Sequence, residues 1–176
     1  MDRLIGSILQ LSRQGRRPLT PELLDMNALV DGVTSSLHQL AESVGAQVIV
    51  EPLPAVESDR LAIEQILSNL VENALKYLSP GRQGRIEISG KSVGNKVEIA
   101  VRDNGRGIAP EDRDRVFDLF RRAGSQEQPG EGIGLANARA LAYRLGGTLR
   151  LDSALDEGSV FTLSVPQTYS ATESTA

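Results

Sequence analysis

The segment from Asp59 to Leu78 constrains the fold most, because its pattern predicts a long helix with two chemically different faces. One face is apolar at helical spacing: Ile63, Leu67, Leu70, Val71, Ala74 and Leu78. The other face presents two amides, Asn69 and Asn73, followed by Lys76 and Tyr77. Asparagine is a poor helix former, but its carbonyl oxygen can bind a hard cation. The apolar face therefore predicts a buried helix. The amide face predicts a binding surface, and the alternative is an ordinary solvated polar face.

Two glycine motifs downstream favour the binding surface. Asp103-Asn-Gly105-Arg-Gly107-Ile108 follows a strand-like segment, where a carboxylate can accept a hydrogen bond from an exocyclic amine such as that of adenine. Gly105 and Gly107 permit positive φ and a close approach of the backbone to a ligand. Gly130-Glu-Gly132-Ile-Gly134-Leu135 runs into a predicted helix, whose free N-terminal amides suit phosphate oxygens. This motif is neither a Walker loop nor a dinucleotide fingerprint, since no Gly-Lys-Ser/Thr follows and no strand precedes.

The connection between the two glycine motifs is long for a compact domain, which indicates a mobile lid over the ligand. Phe117, Leu119 and Phe120 are expected to anchor its near end in the core. Arg121 and Arg122 are candidates for contacting phosphate, and ordinary surface positions are equally open to them.

The remaining pattern predicts a single α/β domain. Helices are expected over 1–12, 27–43 and 133–145 and short helical turns over 110–120, with strands over 47–51, 85–90, 96–103, 148–152 and 159–165. Strand pairs joined locally, with helices between them, indicate a two-layer sandwich in which a mixed, mostly antiparallel sheet carries helices on one face. The domain is expected over 18–167, after a helix and basic linker over 1–17 and before a polar, disordered tail over 168–176.

Composition excludes several classes of function. A net charge of −4 and an isoelectric point near 5.1 argue against a nucleic-acid-binding surface. The absence of cysteine excludes disulfides and thiolate metal sites. No apolar run approaches the roughly 20 residues of a membrane-spanning helix. We therefore expect a cytoplasmic domain without membrane contact of its own.

In this order and spacing, the motifs resemble the catalytic and ATP-binding domain of sensor histidine kinases, within the wider superfamily of gyrase, heat-shock chaperone, kinase and MutL ATPases. The resemblance covers Leu24 to Pro166. Asn69-Leu-Val-Glu-Asn73-Ala is similar to the N box, and Val116-Phe-Asp-Leu-Phe120 to the F box. The motifs that begin at Asp103 and Gly130 are similar to the two glycine boxes.

The resemblance implies a Bergerat-type ATP-binding fold, with ATP held between the amide helix and the lid. It implies that Asn73 ligates Mg²⁺ with support from Asn69, that Lys76 meets phosphate and that Tyr77 meets the nucleoside. Asp103 would take the adenine amine, and the ATP site would be completed by Gly105, Gly107, Ile108, Arg122, Gly130, Gly132, Gly134 and Leu135. Glu131 stands where the family often has Thr or Ser, and its charge would either weaken binding or point outward.

Two residues refine the expected reaction. Members of the superfamily that hydrolyse ATP carry a glutamate four residues before the Mg²⁺ asparagine, and here that position is Asn69, which cannot act as a general base. Transfer of the γ-phosphate to another group is therefore expected in preference to hydrolysis. The single histidine, His38, has no acidic residue directly after it, so we expect it to be structural. The acceptor histidine is expected on a dimerisation domain absent from this chain.

The apolar pattern of residues 1–12 resembles the end of the second dimerisation helix, particularly that of phytochrome-like kinases, and a helix folded back on the domain is the alternative. The expected partners are the dimerisation and phosphoacceptor domain, a response regulator and, at full length, a second copy. Two other functions stay open: a serine kinase of the anti-sigma-factor type, and a non-catalytic docking module of the same fold.

Overall fold

The computed structural model describes residues 2–118 and 132–170. Within these ranges the helices are α1 (Asp2–Arg16), α2 (Met26–Ser36), α3 (His38–Ser43), α4 (Arg60–Lys76) and α5 (Gly134–Arg144). The strands are β1 (Pro21–Leu24), β2 (Gln47–Val50), β3 (Val56–Asp59), β4 (Arg85–Val93), β5 (Lys96–Asp103), β6 (Thr148–Ala154) and β7 (Gly158–Pro166). Single turns of 3-10 helix lie at Pro110–Asp112 and Arg115–Phe117, within the stretch predicted as short helical turns.

The large sheet has the strand order β2-β4-β5-β7-β6. Strand β2 runs parallel to β4, and every other neighbouring pair in this sheet is antiparallel. Along β5 the side chains alternate between a buried face and a charged face, where Glu98 pairs with Lys91 and Arg150. Helices α2, α4 and α5 share the core with the buried face. The predicted two-layer, mostly antiparallel sandwich is confirmed.

Helix α4 lies at the centre of the core. The side chains of its buried apolar face are at most 2% exposed: Ala62, Ile63, Ile66, Leu67, Leu70, Val71, Ala74 and Leu75. Full burial of a leucine or isoleucine contributes roughly 1.5–3 kcal/mol, so this face sets the rotation of the helix about its axis. The apolar face was predicted, although Leu78 lies just beyond the last turn and is half-buried.

Two helix boundaries differ from the prediction. The segment predicted as one helix over 27–43 is interrupted at Leu37, where the hydroxyls of Thr34 and Ser36 donate to Val30 and Val33 carbonyl oxygens and compete with the helical hydrogen bonds. Helix α1 continues to Arg16, four residues beyond the predicted end. A glycine in a helix costs about 1 kcal/mol and does not by itself end it.

The small antiparallel sheet of β1 and β3 was not predicted. Each strand is only four residues long, and β3 contains Glu57, Ser58 and Asp59 rather than an alternating apolar pattern. Thr168, within the segment predicted as a tail, forms a bridge with Glu57, and the Tyr169 amide donates to the Glu57 carbonyl at 3.1 Å. Residues 171–176 of that segment lie outside the described residues.

Asp59 connects this small sheet to α4. It caps the helix, accepting from the Ala62 amide at 2.8 Å. The same carboxylate, which is 1% exposed, also accepts from the Thr20 amide and from two nitrogens of the Arg17 guanidinium, at 2.5 and 3.1 Å. Burial acts to raise the pKa of Asp59, but these hydrogen bonds and the Arg17 charge outweigh it and hold the pKa below its ordinary value.

We expect Asp59→Ala to lower the free energy of unfolding by about 2–3 kcal/mol, since it removes a helix cap and leaves the partly buried Arg17 unpaired. The folded-state pKa is depressed, so this stabilisation is present above the unfolded pKa and is lost as pH falls through the folded pKa. Urea denaturation should therefore show a difference between wild type and variant that shrinks below pH 3.8.

Asp25→Ala is the matched control, because exposed Asp25 caps α2 through the Ala28 amide alone. That variant should lose about 1 kcal/mol. An equal decrease in the free energy of unfolding in the two variants would show that the Arg17–Asp59 pair contributes nothing to stability.

Candidate functional site

The middle of α4 is tied to the start of α5 through Asn69. The Nδ2 atom of Asn69 donates to the Gly134 carbonyl at 3.1 Å, and its Oδ1 atom accepts from Gln65 Nε2 at 3.2 Å. Asn73 lies one turn further along the same face and is half-buried. Packing of the apolar face thus places Asn69 beside the second glycine motif and Asn73 one turn closer to Tyr77.

Lys76 closes the polar face in the last turn of α4. Its Nζ atom lies 3.4 Å from a carboxylate oxygen of Glu72, one turn earlier, and both side chains are partly exposed. An exposed pair of this kind is worth less than about 1 kcal/mol, so a phosphate group can displace Glu72 at little cost. The structure leaves Lys76 able to turn toward a ligand.

The end of α4 contacts the first glycine motif. The Arg106 amide donates to the Tyr77 carbonyl at 3.0 Å, and the Arg106 guanidinium lies 4.4 Å from the centroid of the Tyr77 ring. A Cβ atom on Gly105 would sit 2.3 Å from the Tyr77 carbonyl oxygen. Gly107 has φ +69°, and a Cβ there would sit 1.9 Å from the Ala154 carbonyl oxygen. Both glycines therefore allow close approach to the protein's own backbone, and their approach to a ligand stays a prediction.

Asp103 lies at the end of β5, the central strand of the large sheet, and is 7% exposed. Its Oδ1 atom accepts from the Gly105 amide at 2.8 Å. Burial raises the pKa of Asp103 above its ordinary value, although hydrogen bonds from the Gly105 and Ser159 amides and the charge of Arg82 act against that rise. Next to it, the Ile108 amide donates to Ser153 Oγ at 2.8 Å, which fixes the end of the motif.

The second glycine motif is described from Gly132 onward. Gly132 has φ +69°, α5 begins at Gly134, and its N-cap residue Ile133 makes no side-chain cap. Leu135 packs against the core and orients that turn. The first amides of a helix, here beside Asn69, suit an anion. Arg122, Gly130 and Glu131 lie outside the described residues, as does Arg121.

Phe117, predicted to anchor the near end of a lid, is buried. Its side chain is 7% exposed and meets Phe161 edge to face, with 6.1 Å between ring centroids. The Arg139 guanidinium covers the same ring at 5.0 Å. Leu119 and Phe120, predicted to share this role, lie outside the described residues.

His38 lies at the start of α3 and its side chain is 68% exposed, with Nε2 3.1 Å from a Glu42 carboxylate oxygen. In the part of the chain that the structure describes, no group of three His, Cys, Asp or Glu side chains could hold a metal ion. Amide oxygens, such as those on the polar face of α4, can still bind a hard cation together with oxygens of its ligand.

Three residues of the site were missed by the sequence analysis. Gln65 orients Asn69, Ser153 holds the Ile108 amide, and Arg82 donates to three carbonyl oxygens around the first glycine motif. Gln65 precedes Asn69 by one helical turn, which was an available signal. Arg82 and Ser153 carry no local signal, since their partners are distant in sequence.

Comparison with known proteins agrees with this geometry. The family described as histidine kinase-, DNA gyrase B- and HSP90-like ATPase matches residues 58–169. The methanogenesis regulatory histidine kinase FilI of Methanothrix harundinacea is 33% identical over 94% of this chain and 19% of its own length. The phytochrome-like protein Cph1 of Synechocystis is 31% identical over 94% of this chain and 22% of its own. The chain thus spans about a fifth of each of these relatives.

Solved structures show the same fold. Full-length ShkA in complex with AMPPNP superposes with a TM-score of 0.82 at 26% identity, covering 97% of this chain and 36% of ShkA. The chain belongs to the histidine kinase-, DNA gyrase B- and HSP90-like ATPase family, and its relatives place it among the ATP-binding modules of histidine kinases. None of the helices described in the structure has the length and apolarity needed to cross a membrane.

The raised pKa of Asp103 predicts a pH-dependent cost of folding. A carboxyl group whose folded pKa exceeds its unfolded value of 3.8 contributes stability that is fully present at low pH. That stability is lost as pH rises through the folded pKa. Relative to the wild type, Asp103→Asn should therefore gain stability as pH rises from 3.8 and level off above the folded pKa.

Urea denaturation between pH 3.8 and neutrality tests this expectation. Asp152→Asn, on an exposed position of β6, is the control and should show no such trend. If the stability difference between Asp103→Asn and wild type does not change with pH, then burial does not raise the pKa of Asp103.

Proposed function

We propose that this chain holds Mg²⁺-ATP for a sensor histidine kinase and donates the γ-phosphate to a histidine on a separate dimerisation domain. The observation that carries the proposal is that α4 contacts both glycine motifs, the second through Asn69 and Gly134, and the first through Tyr77, Gly105 and Arg106. A nucleotide bound along the polar face of α4 meets adenine-recognising and phosphate-recognising groups at the same time.

Each residue has a role that its chemistry supports. Asp103 accepts a hydrogen bond from the adenine amine, with Tyr77 beside the nucleoside and Lys76 and the α5 amides facing the phosphates. The half-buried amide oxygen of Asn73 fits Mg²⁺, which binds few protein ligands and shares substrate phosphates. When bound, Mg²⁺ neutralises charge that develops on the phosphoryl group. Ile108 and Leu135 supply apolar walls.

Asn69 favours transfer over hydrolysis. Its amide is engaged with Gln65 and Gly134, and an amide cannot take a proton from water as a carboxylate can. The exposed apolar side chains of α1, Ile5, Ile8 and Leu9, support a helix that packs on a dimerisation partner, which a serine kinase of the anti-sigma-factor type does not need. A response regulator and a second copy are the further partners of the longer protein.

Titration calorimetry with Mg²⁺-ATP tests the site. Asp103→Asn and Asn73→Ala should each weaken binding at least about tenfold, since each removes a contact to an amine or a cation worth about 1.5–3 kcal/mol. Asp152→Asn and Asn95→Ala, at exposed positions away from α4, are matched controls and should bind as the wild type does. No measurable affinity in the wild type would refute the proposal.

Incubation with labelled ATP and a dimerisation domain that carries an acceptor histidine tests the reaction. We expect an acid-labile phosphoprotein product, because phosphohistidine is unstable in acid, and phosphate release by the chain alone close to the buffer background. Acid-stable phosphoserine on a partner would instead support the serine kinase. Nucleotide binding without any transfer would support the docking module.

A further inference from the structure

Arg82 makes an unusual set of contacts for an exposed arginine. It lies in the connection between α4 and β4, and its guanidinium donates to the Asn104, Gly105 and Asp156 carbonyl oxygens, each at 2.7 Å. The contact with Ser79 Oγ at 3.4 Å is longer. The fixed fork of a guanidinium can serve several acceptors in one plane, and hydrogen bonds from a charged donor are about twice as strong as neutral ones.

Two of these carbonyl groups directly follow Asp103 in the chain. Asn104 and Gly105 are the two residues directly after it, and the Gly105 amide donates to the Asp103 carboxylate at 2.8 Å. Arg82 therefore binds the carbonyl of the Asn104–Gly105 peptide group. The amide of that same peptide group orients the Asp103 carboxylate. Any tilt of the turn would move the Gly105 amide and with it the carboxylate oxygen.

The third carbonyl fixes the turn against a separate part of the fold. Asp156 lies between β6 and β7 at φ +63°, and its amide donates to the Arg106 carbonyl at 2.8 Å. Arg82 thus joins the α4–β4 connection, the Asp103–Gly107 turn and the β6–β7 turn at one point. The Asn104 side chain also joins the α4–β4 connection to the Asp103–Gly107 turn, since its Nδ2 atom donates to the Gln83 carbonyl and its Oδ1 atom accepts from the Arg85 amide.

We propose that Arg82 is a positioning residue that sets selectivity for adenine by fixing the turn that orients the Asp103 carboxylate. The inference rests on the proposed function, in which Asp103 accepts from the adenine amine. Arg82 itself points at backbone carbonyls and has no role in contacting the base. Its removal should therefore change which base is preferred more than it changes the binding of phosphates.

The test compares ATP with inosine triphosphate, which carries an oxygen in place of the adenine amine. Calorimetry with Mg²⁺ gives the ratio of the two affinities for wild type, Arg82→Ala and Arg102→Ala, the last an exposed arginine on the charged face of β5. We expect Arg82→Ala to weaken the binding of ATP about tenfold, as the loss of one oriented hydrogen bond implies. The binding of inosine triphosphate should weaken less than about threefold. Arg102→Ala should leave the ratio unchanged.

Equal weakening of both nucleotides by Arg82→Ala would overturn the inference, because a purely structural role lowers both alike. If that variant unfolds, Arg82→Lys keeps the charge without the planar fork and should show the same fall in the ratio. A wild type that binds ATP without preferring it over inosine triphosphate would overturn the inference while leaving ATP binding intact. A wild type that binds neither nucleotide would overturn the proposed function as well.

Discussion

Burial of one face of α4 is the constraint on which the rest of the structure depends. Ile63, Leu67 and Leu70 are at most 1% exposed, and successive helix residues turn by about 100°, so the packing that hides them determines where Asn69 and Asn73 point. Rotating the helix to move the amides would expose several leucine-sized side chains at roughly 1.5–3 kcal/mol each. The stability of the core therefore orients the site.

Both ends of this helix are held by polar contacts that the core cannot supply. At the start, the Asp59 carboxylate caps the first turn and pairs with Arg17, which belongs to the connection that follows α1. The Arg17 carbonyl in turn accepts from Arg144 in the last turn of α5 at 2.6 Å. At the other end, the Tyr77 carbonyl meets Arg106 and lies against Gly105. The helix that carries the amides is thus connected to the N-terminal helix, to α5 and to the first glycine motif.

Much of this was readable from the sequence because it depends on local chemistry. The apolar spacing of α4, the Asp59 cap and the alternation of β5 follow from helix and strand periodicity and from capping. The break at Leu37 was missed because the hydroxyls of Thr34 and Ser36 donate to backbone carbonyl oxygens of the preceding turn. The periodicity of apolar residues does not indicate such hydrogen bonds. The pairing of β1 with β3 was missed because short polar strands have no pattern of their own.

The sequence by itself determined the class of the chain, since four motifs in a fixed order require amides, a strand-end carboxylate and glycines whatever the surrounding fold does. Tertiary structure decided how those groups are held. Contacts such as Asn69 with Gly134, Arg17 with Asp59 and Arg82 with Asp156 join residues that are far apart along the chain. The packing of helices and turns decides which of these residues meet, and the order of residues along the chain does not show it.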